Sequence, residues 1–406
     1  MKENKKHIIN SLFLDLFFKN KCFPPFYKKI TNSFLNSIVY ESDAKTTSKF
    51  SNLTYAISDI PSYFIAEFNK SYKHLKLLKT PLYLGFLINL SVFKNLEDYL
   101  NNHLGRPRKS QLKRYRKRLD KCISPQYKIF YGDISKEEYN FTFKKLIELT
   151  QRRFTQKEEL NFELPYLELY QEIMYPMILD KKASIFIIYH DKKPINITLN
   201  FIEDATIFHW NSCYDIDYQM FNLGHINMVN HLEWAFNNGF KLFDMGRGDF
   251  LHKRKYVNES YMYYEHIVYN SKSIIAYISA KSKLLKLKLR FALIKLLKKT
   301  NLHLLYGRYA KYKYKFAKSR NNKNNEVKIS TDTISEIPKL ETLTLIDLTI
   351  GKYDFLIKPL NYFLHKSQDN VSQVKVYMDK KNSQVFYFEG TKKQQKLSIE
   401  NQKGLL

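Results

Sequence analysis

The chain has 406 residues, with 67 Lys+Arg against 39 Asp+Glu, giving a formal charge of +28 at pH 7. At roughly 150 residues per domain this length allows two or three domains, and 44% apolar residues supply real cores, which excludes global disorder. Gly and Pro, at 11 each, exclude collagen-like and linker-like compositions, and the charge asks for an anionic partner: nucleic acid, a phosphate-bearing substrate or cofactor, or an anionic membrane surface.

Cys22, Cys122 and Cys213 lie far apart with no CxxC spacing. That excludes a disulfide scaffold and a zinc-finger pattern, fits a reducing compartment, and leaves no metal site expected. At the N-terminus Asp15 and Lys19 interrupt the apolar run, and no small-residue cleavage site follows, so it does not read as a signal peptide. No stretch reaches about 18 uninterrupted apolar residues, which speaks against a spanning helix. The sequence is read as that of a cytoplasmic protein.

Residues 1–80 alternate short aromatic-rich segments with polar loops, broken at Pro24-Pro25 and Pro61. The dense apolar run 80–93 suits a buried strand, with a helix as the alternative for so short a run. Residues 102–122 are intensely basic, with nine Lys/Arg and one Asp between Arg106 and Lys121. A helical period returns over 137–154, placing Tyr139, Phe143, Leu146, Ile147 and Thr150 on one face. A second helix is expected over 163–179, interrupted by Pro165 and Pro176. Residues 183–190, 195–202 and 206–213 then read as three sequential strands with hairpin-length turns. A loop over 214–224 leads to a helix over 225–239, with Gly239 as its stop. A short strand (241–246), a helical turn (248–257) and a last strand (260–269) complete this section.

Residues 281–320 hold fourteen Lys/Arg and no acid. Leu285, Leu289, Ala292, Leu293 and Leu296 form one apolar arc of a helix there, and Leu284, Leu287, Phe291 and Ile294 a second. A basic amphipathic helix apolar on two sides reads as one that packs on the protein with one side and meets something else, such as a membrane surface, with the other. Residues 319–326 read as a polar linker, and 327–398 as a small α/β unit.

Taken together, 183–269 has the order β-β-β, loop, α, β, short α, β. A helix N-terminus offers unpaired N–H groups and the positive dipole end, which suits a phosphate, and Gly224 lies just before it, where backbone must approach a ligand closely. This order resembles the GNAT acyltransferase fold. The segment FDMGRGDFLHKRKY (243–256), a strand ending in Asp followed by GRGD and a Lys, resembles the Fem-like branch of envelope polysaccharide acetyltransferases, of the cellulose-biosynthesis CelD type. The basic segment GRPRKSQLKRYRKRLD and the helix ending QRRF (151–154) agree with it, Arg153-Phe154 standing at the place of an Arg-Trp-like pair. The resemblance covers about residues 80–270.

The resemblance implies an α/β (α+β) fold: a GNAT-like mixed sheet flanked by helices, in tandem with a degenerate N-terminal GNAT half, plus a small C-terminal α/β unit. The expected divisions are 1–125 (degenerate half with the basic segment), 126–280 (acyltransferase domain), 281–320 (basic amphipathic segment) and 327–406 (C-terminal unit). It implies acyl-CoA, acetyl-CoA in the simplest case, as a co-substrate, with no permanently bound cofactor. The pyrophosphate would lie against Asn222, Leu223, Gly224 and His225, and the carbonyl and pantetheine arm against Asn211–Cys213.

Asp244 or Asp249 would help deprotonate an attacking amine or hydroxyl; the plainer alternatives are a pairing of Asp244 with Arg247 and a helix cap by Asp249. Lys253 would steady charge, and His209 would stand as a base beside the thioester or as a satisfied histidine on the sheet. Arg247 and Arg153 would bind substrate, and Arg152 and Arg153 could equally form a solvated face. Cys213 is not needed as a nucleophile, since the chemistry is direct transfer. The acceptor implied is an amine or hydroxyl of a sugar or lipid-linked sugar.

Residues 220–226 depart from the usual GNAT phosphate loop, with one Gly and with Ile226 in place of a second small residue. Fem relatives that use aminoacyl-tRNA also lack a standard loop, and tRNA is the alternative partner. A third reading is a non-catalytic RNA- or membrane-binding protein on a decayed transferase fold.

Overall fold

The period-two alternation over residues 183–213 becomes three strands, and its two turns are set by single left-handed residues, Asp191 at φ 52° and Asp204 at φ 49°. Short acidic side chains tolerate that region better than most, which is why DKKP and EDA can reverse the chain so tightly. The computed structural model describes residues 7–18, 21, 23–42, 54–300, 302, 309, 312–314, 316 and 328–400. The 319–326 linker, Cys22 and much of 301–318 lie outside them.

In chain order the strands and helices are β1 (His7–Ser11), β2 (Tyr27–Asn32), β3 (Ser37–Glu41), β4 (Thr54–Pro61), β5 (Phe64–Phe68), β6 (Leu75–Asn89), α1 (Leu96–Tyr99), α2 (Arg106–Ile123), β7 (Gln126–Phe130), α3 (Lys136–Lys157) and α4 (Leu164–Leu179). There follow β8 (Ala183–His190), β9 (Lys193–Glu203), β10 (Thr206–Tyr214), α5 (Leu223–Asn237), β11 (Leu242–Arg247), α6 (Leu251–Arg254), β12 (Glu259–Asn270) and α7 (Ile274–Lys299). The last elements are β13 (Lys328–Ile334), β14 (Leu343–Leu345), α8 (Ile357–Ser367), β15 (Lys375–Asp379), β16 (Val385–Glu389) and β17 (Gln394–Glu400).

Three expectations are corrected. The second helix is not interrupted: Pro165 sits in the first turn of α4, where its missing N–H would be unpaired anyway, and the helix runs on through Pro176. Residues 214–224 are not an open loop, because Ile216–Phe221 form a 3-10 helix. Gly224 lies inside the first turn of α5 rather than before it, since the helix starts at Leu223. Gly239 does act as the stop, at φ +73°.

The chain divides into two compact units, each discontinuous in sequence. The first contains residues 1–104, 200–210 and 234–308. Its mixed sheet has the order β1-β4-β12-β6-β11-β10, with β1–β4 and β10–β11 parallel and the other pairs antiparallel. A π-helical turn, Leu12–Phe17, puts Phe13, Phe17 and Phe18 into an aromatic core. There Phe18 stacks on Phe201 at 3.7 Å and Phe13 meets Phe208 and Trp210 edge-on. Part of the high aromatic content goes into this core, where each ring buries a large apolar area. β2, β3 and β5 form a separate sheet of order β3-β2-β5. Helix α7 packs Ala276, Ala280, Leu284 and Leu287 on Ile267 and Tyr269 of β12, so the second of the two expected arcs is the protein-facing one.

The second unit contains residues 105–199, 211–233 and 309–406. β7 and β8 pair antiparallel beside β9, with α3 and α4 packed together. α2 buries Leu112, Leu119, Cys122 and Ile123 and turns most of its cations outward. Residues 328–400 supply a five-stranded antiparallel sheet of order β13-β17-β16-β15-β14 with α8, within this same unit. Leu360, Phe363 and Leu364 of α8 share a core with Leu119, Tyr218, Phe221, Leu223 and Ile226. Among the described residues no helix is long and apolar enough to cross a membrane.

Candidate functional site

The first unit holds the GRGD segment. Strand β11 leaves its register with β6 between Asp244 and Arg247. Gly246 (φ +66°) and Gly248 (φ +102°) turn the chain there in a region that side chains other than Gly rarely adopt. Asp244 is 1% exposed. Its carboxylate accepts from the Tyr63 hydroxyl at 2.5 Å, the Tyr261 hydroxyl at 2.7 Å and the Gly246 N–H at 2.6 Å. The Tyr261 and Tyr263 hydroxyls lie 2.7 Å apart. Since the single Tyr261 proton goes to Asp244, Tyr263 is the donor in that pair. Burial raises the Asp244 pKa, opposed by the hydrogen bonds from Tyr63, Tyr261 and Gly246 and by the Lys253 charge.

Lys253, the third residue of α6, returns its ammonium to the same bend and donates to the carbonyls of Met245 and Arg247. Burial lowers its pKa to about 8, with Arg247 acting in the same direction and Asp244 against it. Lys253 therefore changes charge close to neutral pH, which suits a proton-handling or charge-steadying group. The Arg247 guanidinium lies over the Tyr83 ring at 5.7 Å, and the Tyr83 hydroxyl donates to Asp59. Arg247 therefore does not form the carboxylate pair with Asp244 that was one alternative. Asp249 is also not a cap: Phe250 holds the N-cap position of α6. Asp249 instead binds Arg254 bidentately at 2.5 and 2.6 Å, which holds its carboxyl below the usual range. His209, half-buried on β10, faces the Phe243 ring with centroids 5.7 Å apart.

The second unit holds the segment expected to meet a pyrophosphate. Asp215, fully buried, accepts from Arg152 at 2.8 Å and Lys193 at 2.9 Å. Arg152 also reaches Asp217 at 2.7 Å, so it belongs to a buried ion network rather than to a solvated face. Asn222 ends the 3-10 helix at φ +60°, and its carbonyl accepts from the His225 N–H. Leu223 is buried in the core described above, whereas Gly224 is exposed and has open space where a side chain would start. The His225 ring lies 3.2 Å from the Arg108 guanidinium and stacks beside Tyr115. Gly224, His225 and Arg108 thus lie together at an accessible helix start, and helix starts in general favour anions.

On β10, Asn211 donates to Glu163 at 2.9 Å, and the Cys213 carbonyl accepts from Asn196 at 3.0 Å. The Cys213 thiol is buried, which pushes its pKa up, away from nucleophilic use. Arg153 stacks on Tyr214 at 4.8 Å and donates to the Ser212 carbonyl. A cavity of about 770 Å³ opens in this unit, lined in part by Arg152, Lys193, Asp217, Lys358, Tyr362 and Lys366. Among the described residues no group of three or more His, Cys, Asp or Glu could hold a metal ion.

The structure therefore brings together Asp244, Arg247 and Lys253 in one place, and Asn222, Leu223, Gly224 and His225 in another. Sequence reasoning misses Tyr63 and Tyr261 as partners of Asp244, Tyr263 as the neighbour of the Tyr261 hydroxyl, and Arg108 as a neighbour of His225. The one available signal is the repeated tyrosine at alternate positions of 261–263, which puts two hydroxyls on one sheet face.

Residues 106–254 match the family model of the acetyltransferase (GNAT) domain, a span that contains both the α5 start and the GRGD segment. Among curated proteins there is no match. Among solved structures the chain is similar to L-PGS from Bacillus licheniformis (12% identity, 56% of this chain and 72% of that one, TM-score 0.34) and to FemX (12% identity, 53% and 72%, TM-score 0.38). A tandem GNAT protein from the clavulanic acid biosynthesis pathway is a further neighbour, at 13% identity over 54% and 64% with a TM-score of 0.30.

Proposed function

We propose that the protein is a Fem-like GNAT acyltransferase of the CelD type. It moves an acyl group, acetyl in the simplest case, from acyl-CoA to an amine or hydroxyl of a sugar or lipid-linked sugar in envelope polysaccharide synthesis. The observation that carries this reading is the acetyltransferase domain match over 106–254. The acceptor N or O attacks the thioester carbonyl, its proton passes to a base, the C–S bond breaks, and CoA leaves as the thiol.

In this reading the backbone at Asn222–His225 and the Arg108 guanidinium hold the CoA pyrophosphate. The β10 backbone around Asn211–Cys213 guides the pantetheine arm, and Arg153 and Arg247 orient substrate. Lys253, with its pKa near 8, and the partly exposed Asp249 are the groups offered for proton and charge handling. Asp244 acts through the bend it holds, because its oxygens are already occupied by tyrosine hydroxyls and the Gly246 N–H. His209 is offered as a flanking group on β10. The protein would work in the cytoplasm, in peripheral contact with the inner face of an anionic membrane.

The test is release of free CoA thiol from acetyl-CoA in the presence of amino-sugar acceptors. Release above the acceptor-free rate is expected, and its absence across acceptors together with absent CoA binding overturns the reading. A second reading, an aminoacyl-tRNA donor, is supported by the outward row of cations on α2. It requires binding of charged tRNA that falls steeply with salt.

A further inference from the structure

Helix α7 turns about 100° per residue, and this sorts its side chains into three strips. Ala276, Ala280, Leu284 and Leu287 face β12 and pack there. Lys283 on the same side pairs with the buried Glu265 at 2.7 Å. On the opposite side, Ile274, Ile278, Leu285, Leu289, Leu293 and Leu296 fall within about 100° of arc. Each of them is more than half exposed. The two edges of this ridge are cationic: Lys281, Lys288, Lys295 and Lys299 lie along one, and Lys286 and Arg290 along the other, all exposed. No acid occurs between His266 and Asn325.

A ridge of aliphatic side chains in water costs free energy unless something covers it. A protein partner would present a shaped apolar groove with acids at both rims, whereas a bilayer offers an apolar layer beneath a plane of negative headgroups. The ridge is long and made of aliphatics, with cations on long stems along both edges, and this matches the bilayer.

We propose that α7 is a membrane-docking helix that lies in the plane of an anionic lipid surface, its Ile274–Leu296 ridge sunk among acyl chains and its flanking lysines at the phosphates. The proposal rests on the reading above in that a lipid-linked acceptor gives the docking its use. It deepens that reading by naming the face that docks.

Flotation of the full chain with vesicles of phosphatidylglycerol and phosphatidylcholine, against phosphatidylcholine alone, tests it. Binding to the anionic vesicles only is expected. The double variant Leu289→Glu/Leu293→Glu should weaken it at least about tenfold, with an unchanged melting curve because both side chains face solvent. Lys288→Glu/Lys295→Glu should weaken it as well, more at low salt than at high salt. No binding to anionic vesicles, or undiminished binding of the leucine variant, overturns the proposal. Retention on an RNA homopolymer, lost by the lysine variant, kept by the leucine variant and unaccompanied by vesicle binding, gives the surface to nucleic acid and also overturns it. Acetyl-CoA turnover measured on the same samples separates the two claims: vesicle binding without turnover supports the docking face while removing the transferase reading.

Discussion

The Tyr261 hydroxyl donates to Asp244 at 2.7 Å, and its ring can lie there because Gly85, opposite it on β6, has no side chain. A Cβ at position 85 would stand 2.3 Å from the Tyr261 ring. Gly85→Ala should therefore push Tyr261 off Asp244 and destabilise the fold by at least about 2 kcal/mol. Tyr261→Phe should cost about 1–3 kcal/mol, since it removes a donor from a buried carboxylate without overpacking. Urea unfolding of both variants checks the order of the two effects.

His266 gives the fold a defined acid sensitivity. It is 2% exposed, its ring meets the Tyr27 hydroxyl at 2.9 Å, and burial, helped by Lys79, lowers its pKa to about 3 from 6.5. The unfolded chain therefore binds the proton more readily between these values. Stability from this group is present above pH about 6.5 and is lost as pH falls towards 3, with a slope of up to about 1.4 kcal/mol per pH unit. His266→Gln should flatten that part of the profile in denaturant midpoints taken from pH 7 to pH 5.

Arg152 bridges Asp215 and Asp217, and Asp215 has no exposure at all. Arg152→Met leaves Asp215 with Lys193 as its one cation among the described residues. Because Arg152 itself is about a third exposed, water recovers part of the loss, and about 2–3 kcal/mol is expected. If instead Arg152 serves a ligand alone, the variant melts like the parent chain and only binding changes.

Gly224 is exposed and has open space beyond it, so Gly224→Asp should fold normally. It would set a carboxylate where the transferase reading places the CoA pyrophosphate. CoA affinity should fall at least about tenfold, with an unchanged melting temperature. Calorimetric titration of the variant against the parent reads this directly.

The sheet of residues 183–269 is legible in the sequence because period-two alternation and short acidic turns are local signals. The expected breaks at Pro165 and Pro176 misjudge α4: a proline in the first turn costs nothing, and tertiary packing carries the helix past the second. The 3-10 helix after Asp215 escapes notice because its reason is tertiary. Tyr218 and Phe221 bury themselves in the core that α8 completes, from well over a hundred residues downstream. The same holds for the candidate site. GRGD stands out as a motif, but Tyr63 and Gly85, which decide what Asp244 can do, come from strands that no local pattern joins to it. The amphipathic character of α7 is legible, whereas which of its two arcs faces the protein is settled only by the packing of Leu284 and Leu287.

In the transferase reading this chain takes an acyl group from acyl-CoA, so it must bind CoA and release its thiol. Calorimetric titration of the full chain with CoA, followed by thiol release from acetyl-CoA with an amino-sugar acceptor, decides it. Saturable binding in the micromolar to low millimolar range, weakened by Gly224→Asp, together with acceptor-dependent thiol release, is the expected result. No binding heat at millimolar CoA and no thiol release would contradict it.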